Sequence, residues 1–307
     1  MIISASRRTD IPSFYSEWFF NRLKEEYVLV RNPMNFRQVS RISLSPDVVD
    51  GIVFWTKNPA PMLGKLGALE KYPYYFQFTL NAYGQEVEKG LPSKADELIP
   101  VFGRLAKEIG RERVVWRYDP VFLNEKYTEE YHLRRFDEFA SRLAPFTEKC
   151  IISFLDMYRN IKNNIKPLDI QIPTEAQQYE MMACFADTAR KYGISLDTCA
   201  ESNDFSALGV RRAHCIDKER LEKIGGFGLN IDADRNQRKL CGCAMAIDIG
   251  AYDTCRNGCL YCYANHSQKT IVKNLALHDP QSPLLFGGLE EGDKVRERDV
   301  KSLRRPE

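Results

Sequence analysis

Short runs of β-branched and aromatic residues recur along the chain, separated by longer stretches with helical spacing. This alternation restricts the fold more than any other feature. The strand candidates are 2–6, 27–31, 51–56, 74–80, 113–118, 149–154 and 194–197, with an eighth at 244–249 after an irregular stretch. They are apolar without polar alternation, which suits strands buried on both faces. Between them, 93–109 carries Leu98, Val101, Phe102, Leu105 and Ile109 at helical spacing. Thr128 is placed to cap a helix with Leu133, Phe136, Phe139 and Leu143 on one face. Thr174 and Gln177 form a capping box ahead of Met181, Met182 and Phe185. Strand–helix alternation predicts an α/β fold with a parallel sheet. Eight strands suggest a closed (β/α)8-type, TIM-like barrel, with a doubly wound sheet as the alternative, and 307 residues are enough for the barrel.

The expected organisation is one barrel domain over 1–277. Within it, 199–243 is an irregular cysteine-containing insertion, and 244–277 supplies the last strand, a cysteine loop and a helix. Acidic and basic residues mix in the remainder, 278–307, which reads as a solvated tail. A formal net charge of +2 gives no electrostatic case for a nucleic-acid or membrane partner. The apolar run at the start is too short for a secretory signal, and none approaches the roughly 20 residues of a membrane helix. The expectation is a cytoplasmic protein with no membrane partner.

Disulfides are disfavoured in that compartment, so clustered cysteines there point to metal or catalysis. Of nine cysteines, Cys150 and Cys184 stand alone in apolar contexts and the other seven lie between 199 and 262. Cys255, Cys259 and Cys262 fall within eight residues on one loop, with Gly258 available for a tight turn. Cluster irons are normally held by four cysteines, so a three-thiol loop leaves one iron open unless a fourth thiol comes from elsewhere. A structural zinc site and a plain electron-transfer cluster are the alternatives, although zinc sites more often use paired Cys-x2-Cys or Cys/His ligands.

The spacing Cys-x3-Cys-x2-Cys, with Tyr261 before the last cysteine, resembles the radical S-adenosylmethionine superfamily. Tyr263-Ala264 makes it similar to the spore photoproduct lyase group. The resemblance implies a 4Fe–4S cluster on Cys255, Cys259 and Cys262 whose open iron chelates S-adenosylmethionine, and one-electron cleavage to a 5′-deoxyadenosyl radical. It also implies Tyr261 against the adenine and an electron donor such as flavodoxin or ferredoxin. In that superfamily the motif usually sits near the N-terminus, whereas here it follows the last strand candidate. Over nearly all its length the chain resembles an uncharacterised bacterial family, the domain of unknown function 1848, whose cysteine cluster is C-terminal. The residues that carry this are Ser6-Arg7-Arg8-Thr9-Asp10-Ile11-Pro12, Trp55-Thr56-Lys57-Asn58-Pro59 and Trp116-Arg117-Tyr118-Asp119-Pro120. That family supplies no activity. A circularly permuted barrel would account for the placement, with 244–249 lying between the strands 2–6 and 194–197.

Cys199, Cys215, Cys241 and Cys243 are enough for a second site, either a saturated 4Fe–4S cluster or zinc, and are otherwise four unrelated thiols. Barrel enzymes gather their functional groups at the C-terminal ends of strands. Arg7, Arg8, Asp10, Lys57, Asn58, Asn81, Arg117, Asp119 and Glu201 fall there, as candidates to bind S-adenosylmethionine. A ring of salt bridges closing the mouth is the other reading of these residues. His132 and His214 read as core or surface histidines. Two rivals to a radical enzyme stand: an iron–sulfur electron-transfer or sensing protein, and a zinc-dependent nucleic-acid module.

Overall fold

The computed structural model describes residues 1–238 and 240–306. In chain order the strands are β1 (Ile2–Ala5), β2 (Tyr27–Asn32), β3 (Asn35–Ser43), β4 (Gly51–Thr56), β5 (Tyr74–Thr79), β6 (Val114–Val121), β7 (Lys149–Phe154), β8 (Ser195–Thr198), β9 (Arg211–Arg212), β10 (Ile247–Asp248) and β11 (Lys294–Glu297). The helices are α1 (Ile11–Phe14), α2 (Ser16–Glu25), α3 (Ile99–Ile109), α4 (Glu129–Leu143), α5 (Lys162–Ile165), α6 (Glu175–Lys191), α7 (Lys218–Gly225) and α8 (Gln268–Ala276). The expected caps are present. Thr128 Oγ1 accepts from the Tyr131 amide, and Thr174 and Gln177 form the capping box of α6.

Eight strands form one all-parallel sheet in the order β10-β1-β4-β5-β6-β7-β8-β9. Its two faces are buried by different means. Ile3, Phe54, Phe76, Trp116, Ile152 and Leu196 face the helices. Their sequence neighbours Ile2, Val53, Tyr75, Val115 and Ile151 point the other way, as strand geometry requires. That second face is covered by Ala213, Ile216, Leu221, Leu229 and Ala244. The segment 199–243 is therefore not a loose insertion. Its few apolar side chains suffice because the sheet supplies the rest of the core.

Three expectations are corrected. The strand at 27–31 forms, but outside the large sheet: β2, β3 and β11 make a separate three-stranded sheet, because β2 returns directly as an antiparallel hairpin. The eighth place in the large sheet is taken by β9. The strand before the cysteine loop pairs in parallel with β1, but β8 is bordered by β9 rather than β10, and no ladder among the described residues joins β9 to β10. Finally, 278–307 is mostly exposed, as expected, but it is tied down rather than free. β11 pairs with β3, Asp293 grips Arg31 through two hydrogen bonds of 2.7 Å, and buried Asp50 accepts from Ser302 and Leu303. Its mixed charges find specific partners distant in sequence, which a local charge count cannot register.

His132 is a core histidine. Its Nε2 lies 2.9 Å from the Phe122 carbonyl and must donate, so Nδ1 accepts from the Tyr118 hydroxyl at 2.8 Å. Burial lowers its pKa to about 4. Between about pH 4 and 6.5 the unfolded chain binds a proton here that the folded chain does not, so stability is expected to fall as pH drops through that window. The upper limit is about 3 kcal/mol. Denaturant unfolding of the parent and of His132→Leu should differ in pH slope in that range, and equal slopes would refute the assignment.

Candidate functional site

The loops leaving the C-terminal ends of β1, β4, β6, β7 and β8 surround a cavity of about 390 Å³, within the size range of small-molecule sites. Cys255, Cys259 and Cys262 line it, and so do Cys199, Cys215, Cys241 and Cys243. The fold thus brings both cysteine groups to one chamber. Arg7, Arg8, Asp10, Lys57, Arg117, Asp119 and Tyr261 line it too, whereas Asn58, Asn81 and Glu201 do not.

The three-thiol loop is held from both sides. Asp10 caps α1 by accepting from the Ser13 amide at 3.0 Å. Its second oxygen accepts from the Lys57 amide at 2.8 Å and from Asn257 at 3.0 Å. One buried carboxylate therefore ties the ends of β1 and β4 to the cysteine loop, a positioning task rather than ligand contact. The Tyr15 hydroxyl donates to the Thr254 carbonyl at 2.6 Å, and Asn265 donates to the Cys255 carbonyl at 2.9 Å. On the far side, the segment 84–91 runs alongside the loop. The Gly90 amide donates to Asn257 at 2.9 Å, the Leu260 amide donates to Val87 at 3.0 Å, and Glu88 bridges Cys259. Gly258 takes the left-handed conformation (φ +64°) that its turn required. A Cβ on Gly90 would lie 2.5 Å from the Arg256 carbonyl. Gly90→Ala is accordingly expected to displace the loop and to destabilise the fold by about 1–3 kcal/mol. Thermal unfolding checks this, and an unchanged midpoint would refute it.

Tyr261 is 8% exposed and packs with Tyr83, Val87 and Phe122. Its hydroxyl is engaged by Lys57 Nζ at 2.9 Å and Asn81 at 3.0 Å, and it donates to Glu88. Glu88 is 1% exposed, pairs with Lys57 at 2.7 Å, and is also bonded by Lys94. Burial pushes the Glu88 pKa up, but the two lysines outweigh it and hold the carboxyl at about 2. Asn81 lies one layer below the cavity, linking Tyr261 to the Asp119 backbone.

The second group meets at the end of β8. Cys199 and Cys215 Sγ are 3.4 Å apart. Arg117 Nη1 points at Cys215 Sγ from 3.0 Å while Nη2 bonds Asp119. The Cys215 carbonyl is held by Tyr75 at 2.6 Å and Gln77 at 2.8 Å, both on the sheet face turned away from the helices. The Ile216 amide donates to Cys243 Sγ at 3.4 Å. Arg7 lines the same cavity, against Trp55, with its Nε buried and without a hydrogen-bond partner among the described residues.

Other candidates have structural duties. Asn58 accepts from the Ala60 amide in a local turn. Arg8 lies over Tyr252 and beside Asp248. Glu201 accepts from the Phe154 amide, and burial raises its pKa to about 8. Sequence reasoning missed Glu88, Lys94, Arg238 and Asp248. Asp248 accepts from Ser4, Ser6 and the Arg7 amide, fixing the loop after β1. A carboxylate inside an apolar strand candidate was its available signal. Glu88 lies in a stretch with no periodicity, so nothing marked it.

The donor set fits a thiophilic centre. Burial raises the pKa values of Cys255, Cys259 and Cys262, that of Cys259 to about 12, and outweighs the opposing pull of the Lys57 ammonium on Cys259 and Cys262. Such thiols become thiolates only beside a strong cation. Among the described residues, no three His, Cys, Asp or Glu side chains surround a single ion-sized point. A three-thiol loop serving separate irons of a cluster does not need such a point. No helix among the described residues is long and apolar enough to cross a membrane. No curated protein and no solved structure matches the sequence. Residues 2–264 match the family described as Domain of unknown function (DUF1848), and the chain belongs to that family.

Proposed function

We propose that the chain is a radical S-adenosylmethionine enzyme acting on a substrate its sequence does not name. The observation that carries this reading is the shared cavity: three thiols of one loop open onto it beside Arg7, Lys57 and Arg117, at the C-terminal ends of parallel strands. When bound there, a 4Fe–4S cluster with one open iron and S-adenosylmethionine would supply one-electron cleavage to a 5′-deoxyadenosyl radical.

The chain's own residues have the following parts. Cys255, Cys259 and Cys262 are the thiolate donors. Arg7 offers a guanidinium whose Nε has no partner among the described residues, suited to a carboxylate. Lys57 keeps its charge next to Glu88 and orients the Tyr261 hydroxyl. Arg117 and Asp119 form an ion pair on β6 that also lines the cavity. The fold in this reading is a circularly permuted (β/α)8-type barrel. Its support is that β10, immediately before the cysteine loop, pairs in parallel with β1 and so extends the order of strands. A cytoplasmic location and a small redox protein as electron donor belong to the same proposal.

The deciding experiment is anaerobic reconstitution with iron and sulfide, followed by dithionite and S-adenosylmethionine. Formation of 5′-deoxyadenosine is the expected result. A bound, reducible cluster that yields none would favour an electron-transfer or sensing role.

A further inference from the structure

We infer that Cys199, Cys215, Cys241 and Cys243 form a closed metal site of their own, holding a single thiophilic divalent ion by four thiolates. This does not rest on the radical reading. The four thiols come from three separate places: the end of β8, the stretch after β9, and the turn before β10. The fold nevertheless brings them to one wall of the cavity.

Three observations point to a ligand there. First, donors are aimed at the sulfurs. Arg117 Nη1 lies 3.0 Å from Cys215, Arg238 Nη2 lies 3.6 Å from Cys199, and the Ile216 amide points at Cys243. A neutral thiol is a weak acceptor, whereas a metal-bound thiolate is a strong one and is ordinarily supported by such donors. Second, the charges match. A divalent ion with four thiolates carries a net charge of about −2. Arg117, which is buried, Arg7 and Arg238 surround the site. Third, the Cys199–Cys215 spacing is 3.4 Å. Two sulfurs bound to one tetrahedral ion at about 2.3 Å lie about 3.8 Å apart, whereas sulfurs on different irons of a cubane are farther apart. As they stand the four sulfurs do not surround one ion-sized point; rotamer changes at Cys241 and Cys243 would bring them round it and complete the tetrahedron. On binding, each thiol releases its proton to solvent and the sulfur lone pair goes to the metal, with no change of oxidation state.

The site has a structural consequence. Through Cys215 it joins the stretch after β9 to the turn before β10, and so clips the two edges of the sheet that no ladder among the described residues connects. Closing a segment as long as 199–243 is where a metal clip gains most against chain entropy.

The test uses the full chain with Cys255, Cys259 and Cys262 changed to Ala, stripped of metal anaerobically and titrated with Co²⁺. The expected result is about one ion per chain with the intense visible bands of tetrahedral thiolate-bound cobalt. Adding Cys215→Ser should weaken binding at least tenfold, while Cys184→Ser should leave it unchanged. Should the Cys215→Ser protein not fold, residue-by-residue alkylation of the same triple variant with and without Zn²⁺ decides instead. Protection confined to the four positions supports the site. Absence of both the cobalt bands and metal-dependent protection overturns it. Four irons with acid-labile sulfide at these cysteines would overturn the single-ion assignment.

Discussion

In the protein with Cys255, Cys259 and Cys262 all changed to Ala, formation of 5′-deoxyadenosine is expected to fall to the level of a protein-free control. The reason is collective. A cluster held by three thiolates loses its hold when any one is removed, so each single substitution should be about as damaging as all three together. That lack of additivity separates ligands from residues that merely line the cavity. Lys57→Ala, for comparison, should reduce the reaction while leaving bound iron in place, because Lys57 touches Tyr261 and Glu88 rather than the thiols. The measurements are iron content, the visible spectrum of the reconstituted protein, and product by chromatography. Undiminished 5′-deoxyadenosine from the triple variant would remove the basis of the proposed function.

Glu88→Gln is expected to be the most destabilising single change around the cavity. Glu88 is buried between Lys57 and Lys94, and both lysines are themselves largely shielded from solvent. Glutamine keeps the shape and can still accept from Tyr261, but it leaves two ammonium groups without their counter-charge. Breaking a buried pair by removing one partner costs about 3–5 kcal/mol, and a chain of this size loses about 2–4 °C for each kcal/mol. The expected drop in Tm is therefore about 10 °C. The sign with pH follows from the same group. Its folded pKa, about 2, lies below the ordinary 4.5. Its contribution is thus complete above about pH 4.5 and is lost as the pH falls towards 2. Glu88→Gln should flatten the acid limb of the stability profile, and an equal acid limb in parent and variant would show that the ion pair carries no stability.

Much of the fold was legible along the chain. The strands at 51–56 and 149–154 appear with the expected bounds, and both predicted caps form, because each depends on residues a few positions apart. The strand at 27–31 also forms, but its sheet was not legible. Whether a run joins a central sheet or folds back as a hairpin depends on the partner it meets, and β3, with its polar and charged residues, gave no strand signal. The anchoring of the exposed tail was not legible for the same reason: Arg31–Asp293 and Asp50–Ser302 are bonds between residues more than 250 positions apart.

The candidate site divides along the same line. Sequence by itself determined which atoms are available: three thiols at fixed spacing on one loop, four more upstream, and a set of cations and carboxylates at strand ends. Local chemistry fixes these, since spacing and side-chain type do not change on folding. Only the tertiary structure decided which of them share a cavity and which are spent on holding it. It turned Asp10 into a clamp for the cysteine loop, used Asn58 in a turn, and added Asp248 from inside a strand and Glu88 from an unmarked position. A buried polar group must satisfy its hydrogen bonds with whatever the fold brings within about 3 Å, and that neighbourhood is set by the pairing of strands far apart in the chain.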